Sequence, residues 1–325
     1  MIRILTAAGV ALAISAGALA QSATYPTKPI RWVVPYPAGS PVDVSARRFG
    51  ESFAARLGQS IIVENKPGAY GSIGAADVAR AAPDGYTMMM TIQDPLIAAA
   101  ATVKGLPYDP VRDFKRISIL TVSAAVVVIN AKHGVASPRE LIELAKKSDP
   151  PLAYGSWGPG STPALVMESI AKAAGVTFRE IQYRGSPPAM QDMLGGQIAF
   201  TLTAPNVAAP LVTAGKIKAV GVLGTKRVPA LPTTETFVEA GYDNYMTRYL
   251  IWIALVGPAG LPEPIIDRTL SVARAALAEP GIKSYLAESG YEVLVNTPDE
   301  FEKMFQTEYA LIPKMIRDEL KVQAQ

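Results

Sequence analysis

Two loops of the sequence carry residue types that bind small anions without a charged side chain. The first reads YPAGSPVD at positions 36–43 and lies between an apolar run and a helical pattern. Ser40 is a good helix N-cap, Pro41 suits the first helical position, and Asp43 completes a capping box. The free backbone N–H groups of such a helix start attract a carboxylate or a phosphate. An ordinary capped helix is the alternative interpretation.

The second loop reads YGSWGPGSTP at positions 154–163. Its glycines allow the backbone to approach a ligand closely, and Ser156, Ser161 and Thr162 add hydroxyl groups. Thr162 and Pro163 resemble the cap and the first residue of another helix. Because ligands of open α/β sheets bind at the carboxyl ends of strands, each loop could hold an anion at one side of a cleft.

Composition excludes most other site chemistry. The 325 residues include no cysteine and one histidine, His133, which rules out thiol nucleophiles, cysteine-ligated metals and histidine clusters. We therefore expect no metal and no cofactor. The 31 Lys and Arg residues nearly balance 28 Asp and Glu residues, giving a net charge of +3. No basic run stands out, so nucleic acid is not an expected partner.

Alternating strand and helix patterns predict an α/β fold. Strands over 30–35, 60–65 and 87–91 alternate with helices over 42–57 and 72–81, and a second series covers residues 138–223. This order predicts mainly parallel sheets in two lobes. Apolar runs at 117–130 and 249–256 are predicted to cross between them. Lobe 1 would then comprise residues 21–125 and 248–325, and lobe 2 residues 126–247.

The first twenty residues have the pattern of a secretory signal. Arg3 precedes an apolar stretch over 4–19, and Ala18-Leu19-Ala20 has the small-x-small spacing that signal peptidase cleaves. The alternative, a membrane anchor, would need about 20 apolar residues. We expect cleavage after Ala20 and a periplasmic protein.

Six ordered segments resemble one protein family. They are YPTKPIRWVVPYPAGSPVD, ENKPGAYGSIGAADVARAAPDGYT, LPYDPVRDF, YGSWGPGST, YRGSPPAMQDMLGGQ and VGPAGLPE. Together they resemble the periplasmic binding proteins of tripartite tricarboxylate transporters, the Bordetella uptake gene (Bug) family. The resemblance implies a type II periplasmic binding fold whose lobes close over a small organic acid. It further implies delivery of that acid to the permease subunits of a tripartite tricarboxylate-type transporter, and we expect a monomer.

The resemblance also implies ligand-binding residues at the matching positions of this sequence. Asp43 matches an acidic residue with a capping role or a ligand contact, and Arg184 matches a basic residue that could face an acid or form an ion pair. Trp157 could form an aromatic wall with Tyr36 and Tyr70, or it could pack on the lobe surface away from the ligand. The full set of expected ligand-binding residues is Tyr36, Gly39, Ser40, Asp43, Tyr70, Gln93, Asp94, Ser156, Trp157, Gly158, Gly160, Ser161, Thr162, Arg184 and Ala204.

Three positions depart from the family pattern and affect specificity. Ser40 replaces a second glycine, Ala164 stands where histidine is common, and Ala199 stands where aspartate is common. The two alanines predict a less polar cleft region. We therefore expect a carboxylate receptor whose ligand is an aliphatic di- or tricarboxylate or an aromatic acid.

Two other functions stay open at this level. A ligand-loaded sensor that docks on a signalling receptor has the same sequence features as a transport receptor. An enzyme on the same scaffold is disfavoured, because neither Ser156 nor Ser161 has a partner base evident from the sequence.

Overall fold

The chain forms two lobes, each built around one β-sheet with flanking helices. A computed structural model describes residues 25–318. The expected signal segment over 1–20 lies outside these described residues, as do residues 319–325. The predicted α/β class with two lobes is confirmed.

The sheet of lobe 1 has the strand order β11-β4-β10-β3-β1-β2. Strands β1, β2 and β3 are parallel, and β10 runs antiparallel between β3 and β4. Most strands therefore share one direction, while β10 and β11 run against it. The strands are β1 Ile30–Val34, β2 Ile61–Asn65, β3 Thr87–Thr91, β4 Phe114–Ser123, β10 Ile251–Pro258 and β11 Tyr291–Val293.

The helices of lobe 1 are α1 Pro41–Leu57, α2 Ser72–Ala79, α3 Ala99–Thr102, α8 Glu263–Leu277, α9 Pro280–Ser289 and α10 Pro298–Asp318. A π-helical turn, Asp94–Ala98, leads directly into α3. The core beneath α1 includes Trp32 and Phe53, whose rings meet edge to face at a centroid distance of 4.8 Å. This packing holds the C-terminal half of α1 against β1.

Lobe 2 has a sheet in the order β7-β6-β8-β5-β9. Only β5 runs against the other strands of this sheet. Its strands are β5 Val126–Asn130, β6 Ala153–Ser156, β7 Arg179–Gln182, β8 Phe200–Thr203 and β9 Ile217–Val222. Its helices are α4 Pro138–Lys147, α5 Thr162–Ala174, α6 Ser186–Gly195 and α7 Pro205–Thr213.

Two connections join the lobes. The apolar run predicted at 117–130 is divided at Ala124 and Ala125, so that β4 pairs in one sheet and β5 in the other. The chain returns to lobe 1 between β9 and β10. The boundaries at 125/126 and 247/248 stay our prediction for where one lobe ends and the other begins.

The C-terminal helix α10 contacts both lobes. Phe301 packs edge to face on Trp252 of β10, with ring centroids 5.4 Å apart. Near the other end of α10, Ile316 packs against Gly160 of lobe 2. A β-carbon added to Gly160 would lie 3.0 Å from Ile316 Cδ1. The helix therefore spans the interface between the two lobes.

A buried carboxyl group fixes α10 to the return connection. Glu308 is 8% exposed, and its Oε2 accepts hydrogen bonds from Tyr249 Oη at 2.9 Å and Trp252 Nε1 at 3.0 Å. Burial raises the pKa of Glu308 to about 7, although both hydrogen bonds favour the charged form. The ionisation state of this group therefore changes close to neutral pH.

Candidate functional site

A cavity of about 70 Å³ lies between the two lobes. Its volume suits several non-hydrogen atoms, since one water-sized site needs roughly 10–15 Å³ on the same measure. Lobe 1 contributes Tyr36, Ser40, Pro41, Val42, Ile92, Ser123, Ile251, Ile253 and Tyr291. The remaining wall consists of Ala124, Ala125, Trp157, Gly185, Ser186, Leu202, Thr203 and Ala204.

Three helices begin at the wall of this cavity. Ser40 is the N-cap of α1, Gly185 that of α6 and Ala204 that of α7. Proline occupies part of each first turn and has no N–H, so the partial positive charge of these starts comes from the helix dipole and the few remaining N–H groups. Since both lobes contribute such starts, an anion in the cavity would be stabilised by both.

Two buried hydroxyl groups on the wall have no hydrogen-bond partner among the described residues. They are Tyr36 Oη and Thr203 Oγ1, and both residues are less than one-tenth exposed. Burial raises the pKa of Tyr36 well above its ordinary value, so its phenol stays protonated. Both oxygen atoms are covered by neighbouring protein atoms, so neither hydroxyl is open to a ligand in the cavity of this structure.

The loop before α1 is shaped by a carboxylate behind the wall. Asp43 is 3% exposed, and its Oδ2 accepts the backbone N–H of Gly39 at 2.9 Å. Its Oδ1 accepts from Asn65 Nδ2 at 2.9 Å, while Ser40 Oγ accepts the backbone N–H of Asp43 at 3.3 Å. Neither Gly39 nor Asp43 lines the cavity. The geometry shows a capping and loop-holding role for Asp43.

The second predicted anion loop already faces a carboxylate of the protein itself. Asp94 of lobe 1 accepts a hydrogen bond from Thr162 Oγ1 at 2.9 Å and another from Trp157 Nε1 at 2.6 Å. Gln93 Nε2 donates to the same threonine hydroxyl. Burial raises the pKa of Asp94 to about 6, against the opposing effect of these donors. Gln93, Asp94 and Thr162 therefore link the lobes beside the cavity.

Tyr70 and Arg184 lie at an opening of the same cleft, together with Tyr36 and Trp157. The ring of Tyr70 fills the space that a β-carbon on Gly158 would occupy, so lobe 1 packs directly on lobe 2 there. Trp157 lines the cavity as well, so its indole does not pack on an outer surface. Arg184 is exposed and makes no ion pair with any described residue.

The remaining predicted residues lie behind the loop of lobe 2 and do not line the cavity. Ser156 is fully buried, donates to the Glu180 carboxylate and accepts the backbone N–H of Gly158 at 2.9 Å. Glu180 is the acidic partner that the sequence did not reveal. Because the hydroxyl of Ser156 is inaccessible, this pair cannot reach a substrate. Ser161 Oγ is buried without a partner, and Gly160 packs against Thr102.

Several wall residues were not predicted. Thr203 is one of them. It ends strand β8, and the carboxyl end of a strand signals a ligand loop, but only the neighbouring Ala204 was predicted to bind ligand. Ser123, Ser186 and Tyr291 gave no local signal. They reach the cavity through strand pairing and helix placement, and Tyr291 lies directly opposite Ser123 in the sheet.

Comparison with known sequences gives the family. A sequence model described as the tripartite tricarboxylate transporter family receptor matches residues 45–320. The chain belongs to this receptor family. A Bordetella bronchiseptica protein of the UPF0065 group is 33% identical over 316 residues, covering 94% of this chain and 92% of the relative.

Solved structures of similar receptors share the fold. The periplasmic binding protein BugD superposes with a TM-score of 0.86 and 31% identity, over 93% of this chain and 100% of that one. A Rhodopseudomonas palustris protein with adipate gives a TM-score of 0.87 and 26% identity, over 93% and 100%. MatC from the same species, with bound malate, gives 0.82 and 26%, over 90% and 100%.

Residues 25–318 of the receptor lack two features, a membrane-spanning helix and a metal-binding cluster. No helix in that range combines the length and apolar character needed to span a bilayer. The same range contains no group of three His, Cys, Asp or Glu side chains arranged to hold a metal ion.

Proposed function

We propose that this receptor binds one small organic carboxylate in the cavity between its lobes, in the periplasm, and delivers it to the permease subunits of its transporter. The observation that carries the proposal is the wall itself. Helix starts from both lobes surround a space that no charged side chain lines. Similar receptors were solved with malate and adipate, which supports a carboxylate as the ligand class.

Binding would be coupled to lobe closure at the hinge formed by Ala124 and Ala125. The wall includes Tyr36 and Ser40 from lobe 1 and Thr203 from lobe 2, so a ligand touches both lobes at once. A ligand shifts a hinge equilibrium only by its higher affinity for one state. Contacts to both lobes exist only when the lobes are together, so the acid stabilises the closed form that the permease would recognise.

The site has the character of a receptor rather than an enzyme. Its wall carries hydroxyl and apolar groups but no carboxyl, amine or imidazole group to transfer protons. The family is one of receptors. The bound acid would therefore leave the protein chemically unchanged.

Calorimetric titration tests the proposal. Protein unfolded in denaturant, dialysed free of carried-over ligand and refolded should bind at least one aliphatic or aromatic acid with a Kd of about 1 μM or lower, which corresponds to roughly −8 kcal/mol. Chromatography of the recovered acid should show no conversion. Refolded protein with a native circular dichroism spectrum that binds no organic acid saturably would overturn the proposal.

A genetic measurement separates transport from signalling. Deleting the gene in the host should abolish uptake of the bound acid at low external concentration, while induction of other genes by that acid persists. Loss of induction with normal uptake would show a sensor instead.

A further inference from the structure

Much of the cavity wall is apolar. Ile251 and Ile253 are two residues apart on β10, so both side chains face the same side of the sheet. Val42, Ile92 and Leu202 complete this apolar surface. A carboxylate placed against these side chains would lose its water without gaining a hydrogen-bond donor.

The start of α5, beside the cavity, is already satisfied. Asp94 Oδ1 is bonded to Thr162 at the start of α5, and the backbone N–H of Thr162 also stabilises the charged carboxylate. Trp157 contributes its ring to the cavity wall, but its only polar atom donates to Asp94. This protein carboxylate therefore takes the donors that a second ligand carboxylate would need.

The charge of Asp94 is not balanced by a cation. The groups that act on its carboxyl are the hydroxyl and backbone of Thr162 and the indole of Trp157, with no lysine or arginine among the described residues. Like charges at short range repel strongly where water is excluded. A ligand carboxylate brought to the start of α5 would meet this repulsion.

We infer that the ligand of this receptor is a monocarboxylate with an apolar body, because Asp94 occupies the second anion position. The inference rests on the proposed function and narrows its substrate class. One carboxylate is held by the starts of α1, α6 and α7. The apolar body extends along Ile251 and Ile253.

Matched pairs of acids test the inference at pH 7.5. Hexanoate and adipate share a six-carbon chain, and benzoate and terephthalate share a ring, but the second acid of each pair has an additional carboxylate. The monocarboxylate of at least one pair should bind about tenfold more tightly or better than its partner. Adipate or terephthalate binding as tightly as its monocarboxylate partner would overturn the inference while leaving the proposed function intact. Failure of every acid to bind would instead overturn the proposed function.

Substitution of Asp94 identifies the residue responsible. D94N removes the charge and keeps an oxygen that can accept from Thr162 or Trp157. The ratio of hexanoate to adipate affinity should fall at least about fivefold in D94N. D267N, at an exposed and distant helix position, should keep the wild-type ratio. An unchanged ratio in a folded D94N protein would contradict the role given to Asp94. If D94N does not fold, the wild-type ratio still decides the inference.

Discussion

Replacing Ala204 with phenylalanine should lower the affinity for the bound acid at least about a hundredfold, or roughly 3 kcal/mol. Ala204 lines the cavity as the N-cap of α7, next to the unpartnered hydroxyl of Thr203. Its φ of −76° and ψ of 150° lie in a region that phenylalanine adopts without strain. The added ring would occupy the space between the lobes that the ligand needs. Calorimetric titration with the tightest-binding acid measures the loss.

A second alanine of the same helix region provides the control. Ala214 is the exposed C-cap of α7, so A214F adds the same ring to the same element outside the cavity. It should bind the acid as the unaltered receptor does. Both variants should unfold within a few degrees of the parent in a thermal scan. Wild-type affinity in a folded A204F protein would place the ligand elsewhere.

The pH dependence of stability should change strongly when Glu308 is replaced by glutamine. The folded protein holds the Glu308 proton more tightly than the ordinary pKa of 4.5 would allow, with a pKa of about 7. The stabilisation that the protonated Glu308 carboxyl gives the folded protein is therefore fully present below pH 4.5, and it is lost as the pH rises through 7. From the size of this shift, E308Q should be more stable than the parent at pH 8 by about 3 kcal/mol, and the two should converge near pH 4.5.

Urea unfolding at pH 4.5, 6, 7 and 8 measures this difference. E51Q, on the exposed face of α1, is the matched control and should follow the parent at every pH. In E308Q, the amide oxygen can still accept from Tyr249 or Trp252, so the contact between α10 and β10 is retained. An E308Q protein that is less stable than the parent at pH 8 would show that the charged form is the favoured one.

The alternation of strands and helices could be predicted from the sequence, because local signals mark most element ends. The start of α4 is an example. Ser137 caps α4 by accepting the backbone N–H of Glu140 at 3.2 Å, and Pro138 follows as its first residue. Such caps depend on residues three positions apart, so they can be recognised without knowledge of the fold.

Elements that depend on distant partners were missed. Strand β11 has three residues and exists because it pairs with the far end of β4. The helical segment from Asp94 through α3 consists largely of buried alanine and other apolar residues, without a periodic polar face. Neither pattern carries enough local signal to distinguish it from a loop.

The loops that form the candidate site could be predicted from the sequence, but the role of each loop could not. Tyr36 and Ser40 follow the first strand, as expected, and they line the cavity. Asp94 and Thr162 are 68 residues apart in the sequence. The carboxylate of Asp94 reaches the helix start at Thr162 only when the two lobes have folded. The sequence could therefore indicate two anion loops, but not that a protein carboxylate already faces one of them.

A crystal structure of the receptor with its tightest-binding acid tests the central claim most directly. We expect the ligand carboxylate between the lobes, within about 3.2 Å of a backbone N–H at the start of α1, α6 or α7, with Asp94 still hydrogen-bonded to Thr162. A carboxylate found at the start of α5 in place of Asp94, or bound outside the cavity, would contradict it.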